Sequence, residues 1–101
     1  MTRAEFLIAT LRPDFRDEDL AEVMRWNTGY HRTCGVVGVR YFVSEDRRSF
    51  VMWVPHDENL GDRLAEEWRA SATEDQGWFQ SMMTKVFESG RGSMYREVTP
   101  P

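Results

Sequence analysis

The chain has 101 residues, 41% of them apolar and 13% aromatic, which is enough material for one compact core over residues 1–101 and too little for two. Its formal charge is −4, and all but Lys85 of the thirteen basic residues are scattered Arg, so the clustered cationic surface of a nucleic-acid binder is excluded. Cys34 is the only cysteine, which leaves no intrachain disulfide and suits a reducing, cytoplasmic setting; the apolar run Phe6 to Leu11 is too short for a signal core or a membrane span.

In chain order, "EFLIATL" (5–11) is rich in strand formers and is stopped at Pro13, which cannot continue a ladder. From Asp17 the period changes. Leu20, Val23, Met24, Asn27, Tyr30, His31 and Cys34 recur at three- and four-residue intervals, after three acidic residues that suit the positive end of a helix dipole. That helix is expected to end at Gly35, a residue suited to a left-handed C-terminal cap. "VVGVRYFV" (36–43) and "SFVMWV" (49–54) read as a hairpin around the polar "SEDRR", with Val43 opposite Phe50, Tyr41 opposite Met52 and Arg40 opposite Trp53. Pro55 should close the third strand. "NLGDRLAEEWRA" then predicts a short helix capped by Asp57 or Asn59. "SATE" (71–74) matches a capping box for a further helix with Trp78, Phe79, Met82, Val86 and Phe87 on one stripe, running to Gly90. "SMYREV" (93–98) alternates as a last strand.

The order strand, helix, strand, strand, helix pair, strand is the split pattern of an α+β, ferredoxin-like βαββαβ domain with a four-stranded antiparallel sheet. Helices of these lengths cover one face of such a sheet. Here both faces are apolar: Val37, Val39, Tyr41, Val43, Phe50, Met52 and Val54 on one side of the hairpin, Val36, Phe42, Val51 and Trp53 on the other. Leaving about six large side chains wet forgoes roughly 1.5 to 3 kcal/mol each, comparable with the stability of a small domain. A second copy packed sheet to sheet about a two-fold axis removes that cost, so a homodimer through the sheet faces is expected.

With this element order, and with "ASATEDQGWFQSMMTKVF" (70–87) as its most suggestive stretch, the chain resembles the dimeric α/β-barrel superfamily. That group includes antibiotic-biosynthesis monooxygenases, EthD-like and NIPSNAP-like proteins, stress-responsive barrel proteins, polyketide cyclases and rhamnose mutarotases. The resemblance implies a dimeric α/β barrel with one small-molecule pocket per subunit between helices and sheet. It implies cofactor-independent oxygenation, cyclisation or isomerisation of an aromatic or polyketide-like compound, or a non-catalytic stress-response or ligand-binding module. Helix one lacks the His-Asn-Pro stretch of mutarotases, which ranks sugar chemistry lower, and the Asn, Trp and His set of haem-degrading members is absent from matching places.

Within that frame His31 is the candidate proton carrier, since imidazole titrates near neutrality; the alternative is a half-buried histidine favoured at a helix end by the dipole. Tyr95, on the last strand, is the second catalytic candidate. Arg40, the only charge inside the central strands, is placed either on an anionic ligand or on a partner-chain carboxylate, with Trp53 beneath it. Trp53 and Trp78 are expected to line the pocket, Tyr30, near His31, to contact the substrate, and Trp26 to roof the pocket or flank the interface. The consecutive His56, Asp57 and Glu58 diverge on an extended segment, so no metal site is expected, and Asp57 reads as a helix cap. Cys34 is expected to pack as a small hydrophobe.

Overall fold

The computed structural model describes residues 3–100. The elements are β1 (Arg3–Leu11), α1 (Asp17–Thr33), β2 (Arg40–Val43), β3 (Ser49–His56), α2 (Leu60–Ala70), α3 (Thr73–Val86) and β4 (Phe87–Arg96). The strands pair antiparallel in the order β2-β3-β1-β4, the ferredoxin-like arrangement in which β1 and β3 are central. Among the described residues no helix is long and apolar enough to cross a membrane.

The predicted hairpin register holds: Arg40 faces Trp53, Tyr41 faces Met52 and Val43 faces Phe50. Its turn is tied by Ser44 Oγ, which accepts the Ser49 N–H at 2.9 Å, and by Asp46, which accepts the Arg48 N–H at 3.1 Å. Strand β2 is four residues shorter than expected, because residues 36–39 serve the end of α1 instead. The Gly35 N–H donates to the Arg32 carbonyl (2.9 Å) and the Val36 N–H to the His31 carbonyl (2.9 Å), the paired bonds of a Schellman cap, with Gly35 at φ 85°. Val36 is buried under the cap, and Gly38 at φ 87° precedes the start of the strand at Arg40. β3 runs through Pro55 to His56. The proline is tolerated because β2 stops opposite Trp53 and leaves that side of β3 an edge.

Two other expectations change. "SATE" does not form a capping box, because the Ser71 hydroxyl donates backwards to the Trp68 carbonyl (2.6 Å) and closes α2, while α3 begins at Thr73. Asp57 accepts the Asn59 N–H (2.9 Å), a turn just ahead of α2, whereas the Asn59 side chain makes no capping bond. α3 also stops at Val86 rather than Gly90, and the chain passes directly into β4, which spans Phe87–Arg96 instead of 93–98. The pairing of β4 with β1 requires small residues: a side chain at Gly90 would meet the Ala9 Cβ at 3.2 Å. A bulge between the Thr10–Ser89 and Leu11–Phe87 pairs absorbs the residue in excess.

All three helices lie on one face. Leu7, Ala9 and Leu11 of β1, Phe50, Met52 and Val54 of β3, and Phe87 of β4 pack there against Leu20, Val23, Leu60, Met82 and Val86. The other face carries Phe6 and Ile8, Val51 and Trp53, Arg40 and Phe42, and Tyr95. No element of the described chain covers it. Ile8 is 41% exposed, Phe42 53% and Tyr95 48%.

Candidate functional site

The helix-facing side of the sheet carries a partly open cavity of about 230 Å³. Its floor is Leu7, Phe50, Met52 and Phe87, and its walls are Val23 and Asn27 of α1, Tyr41 of β2, and Phe79 and Met83 of α3. Two polar groups interrupt this apolar lining, and both follow from local pattern. Asn27 lies on the buried stripe of α1, and Tyr41 lies opposite Met52 on the helix-facing side of the hairpin.

The two residues are tied together. Tyr41 Oη donates to the Met24 carbonyl (3.2 Å) and shares a bond with Thr28 Oγ1 (2.8 Å), while Asn27 Nδ2 donates to Tyr41 Oη (3.3 Å) and to Met52 Sδ (2.7 Å). A thioether can only accept, which fixes the amide with its nitrogen toward Met52 and leaves Oδ1 as the acceptor not used by this network.

His31 lies one turn beyond Asn27 and is buried, only 4% of the residue being exposed. Nδ1 bonds the Asn27 carbonyl at 2.8 Å, so Nδ1 carries the hydrogen and Nε2 the lone pair of the neutral ring. Burial holds its pKa below the ordinary histidine range, outweighing the Asn27 carbonyl and Glu5, which favour the charged form. The ring does not line the cavity.

The remaining sequence-predicted residues fall in different places. Tyr95 lies on the opposite face of the sheet, edge-on to Phe6 with ring centroids 5.1 Å apart. Arg40 and Trp53 share that back face, with the guanidinium 5.6 Å from the indole centroid. Trp26 and Tyr30 belong to an aromatic stack in the helical layer. Trp26 lies between Tyr30 (5.0 Å) and Phe79 (4.2 Å), and Trp68 meets Trp26 edge-on at 6.3 Å. The Tyr30 hydroxyl donates to the Leu64 carbonyl, and burial, with Cys34 and Glu67 nearby, raises its pKa. Trp78 is on the outer side of α3, partly in solvent. His31 is therefore separated by the sheet from Tyr95, Arg40 and Trp53, and these residues do not form one pocket.

The "HDE" run divides as its geometry requires. His56 turns inward, with Nε2 3.7 Å from Glu5 Oε1. Asp57 turns outward to a bidentate pair with Arg63 (2.9 and 3.1 Å), which holds its carboxyl below the usual range. Cys34 is buried, its thiol raised by burial and by Glu67. The cavity residues Asn27, Tyr41 and Met52 were not singled out from sequence; the available signal was a polar residue on an otherwise apolar helical stripe.

No protein-family model matches the sequence, and no curated protein does. Solved structures do. A NIPSNAP-like domain protein from Burkholderia xenovorans has a TM-score of 0.68 at 17% identity, covering 99% of this chain and 90% of its own. SnoaB, a cofactor-independent oxygenase from Streptomyces nogalater, has a TM-score of 0.68 at 10% identity, with 99% and 97% covered. An antibiotic biosynthesis monooxygenase has a TM-score of 0.68 at 13% identity, with 96% and 99% covered. At these identities the likeness is one of fold: the chain has, over nearly its whole length, the ferredoxin-like α+β architecture that these proteins share.

Proposed function

We propose that this chain forms a homodimer through the backs of its sheets. In each subunit the helix-side cavity holds a one- or two-ring phenolic aromatic, which is oxygenated without a cofactor. The observation that carries this reading is the cavity itself: about 230 Å³ and largely apolar, with Asn27 in one wall and its Oδ1 left out of the Tyr41 network. An apolar cavity of about 150 Å³ holds benzene, and larger ligands need about 300 Å³ or more, so the space suits one or two fused rings. An acceptor in an apolar wall selects a ligand with one donor, and a phenol supplies it. The shared fold with a cofactor-independent oxygenase supports the reaction type. A phenol and O₂ give a quinone and water without any further reductant.

A second reading, binding without turnover, is favoured by one observation: neither His31 nor Tyr95 lines the cavity, and the Tyr41 hydroxyl is already engaged.

Methyl NMR during titration with 2-naphthol tests the site. The Met52 and Met83 methyls shift and that of Met94, outside the cavity, does not. Asn27→Leu retains naphthalene but loses about 1 kcal/mol of its preference for 2-naphthol, the worth of one neutral hydrogen bond. Unchanged Met52 and Met83 signals refute the cavity. Oxygen uptake with bound 2-naphthol supports catalysis, and binding without uptake supports the second reading.

A further inference from the structure

Asn27 offers the cavity one half of its amide, and a neighbour on the sheet decides which half. Met52 sits on the helix-facing side of β3, between Tyr41 of β2 and Leu7 of β1, and is buried. Its Sδ stands 2.7 Å from Asn27 Nδ2. The other side chains of the network carry hydroxyls, each with one hydrogen to give and lone pairs to receive, so neither dictates the direction of the amide. Tyr41 Oη accepts from Asn27 Nδ2 (3.3 Å), lies 2.8 Å from Thr28 Oγ1, and gives its hydrogen to the Met24 carbonyl (3.2 Å). With the amide turned over, that hydrogen could go to Oδ1 instead. The thioether has no hydrogen to give, and Oδ1 would then stand against Sδ, lone pair to lone pair.

The core asks only for volume at residue 52, which Leu would supply almost equally well. What Leu lacks is the acceptor. We propose that Met52 is a positioning residue that sets ligand selection through Asn27: its thioether holds the amide in the one orientation that receives a hydrogen-bond donor. The inference rests on the cavity reading above. A phenol donates to Oδ1. A compound of the same shape that carries only acceptors meets an acceptor, and leaves both its own lone pair and Oδ1 unpaired in an apolar wall. The quinone formed in the proposed oxygenation is such a compound, so the amide that retains the substrate gives the product no bond.

Three two-ring probes of similar size test the selection near neutral pH, where all are uncharged: naphthalene without a polar group, 2-naphthol with a donor, and quinoline with an acceptor alone. Their affinities are read by NMR at the cavity methionine methyl that each variant retains. In Met52→Leu the affinity for quinoline should rise about fivefold, the worth of one neutral hydrogen bond, while those for naphthalene and 2-naphthol change less than about twofold. The phenol keeps its bond because the freed amide can still present Oδ1. A merely loosened core would move all three affinities together. Met83→Leu, the same exchange elsewhere in the lining, should not favour quinoline. Should Met52→Leu not fold, Asn27→Leu decides in its place: relative to naphthalene it should weaken 2-naphthol and not quinoline. Equal weakening of both by Asn27→Leu, or a quinoline affinity in Met52→Leu that only follows that of naphthalene, overturns the proposal. If naphthalene itself does not bind the wild type, the cavity reading fails and the selection falls with it; naphthalene bound without the change in quinoline refutes the selection alone.

Discussion

Asn27 and His31 stand one turn apart on α1 and have opposite relations to water, since Asn27 faces the cavity and His31 is sealed beneath the helix. The tyrosine beside them does structural work. Its hydroxyl joins Met24, Thr28 and Asn27, so Tyr41→Phe leaves buried partners unsatisfied and should cost about 1 to 3 kcal/mol in urea denaturation. His31 makes stability depend on pH. Its pKa is lowered on folding from an ordinary 6.5, so below that value the unfolded chain binds a proton that the folded chain refuses. Stability is then full above about pH 6.5 and lost as the pH falls toward the folded value; His31→Leu should flatten this loss in denaturation curves measured across that range. Cys34 should react with a thiol reagent only as fast as the chain opens, because burial both shields the thiol and keeps it protonated. His31 could be named from the helical stripe alone. That its ring would miss the cavity could not, because neither β3 nor β1 reveals from its own residues what lies above it.

At the level of elements, the period-two and 3.6-residue patterns were enough to place the strands, the long helix and the hairpin register, since each side-chain face is fixed once the pairing of Val43 with Phe50 is chosen. Boundaries failed where glycine chemistry decided them. "VVGV" has strand composition, but Gly35 and Gly38 at positive φ turn it into a helix terminator and a link. Gly35→Ala should therefore destabilise by about 1 kcal/mol or more, measured by thermal or urea unfolding, as a side chain in the left-handed region is penalised. "ESGRG" reads as a helix stop followed by a loop, and becomes strand because close pairing with Ala9 of β1 admits a residue without a side chain. The candidate site divided for a related reason. Arg40, Trp53 and Tyr95 were grouped with His31 by chemistry, and strand parity puts them on the other side of the sheet.

For the whole molecule, the decisive feature is that three helices occupy one side of the sheet and nothing in the described chain covers the other. Phe42, Ile8 and Tyr95 are the exposed members of that back face, and Phe6, Val51 and Trp53 lie partly buried among them. These side chains share the face with Arg40 and Arg91, and leaving them in water forgoes about 1.5 to 3 kcal/mol for each large one, comparable in sum with the stability of a small domain. Pairing two backs about a two-fold axis removes that cost and leaves both helix-side cavities open for ligands. A charge placed at its centre should then separate the subunits without unfolding them: Phe42→Asp should sediment as a monomer while keeping its helical and strand content by circular dichroism. Sedimentation velocity of the wild type at micromolar concentration is the most direct measurement. A single species of twice the chain mass of 11.9 kDa is the expected result, and a stable, soluble 11.9 kDa monomer would contradict the back-to-back dimer.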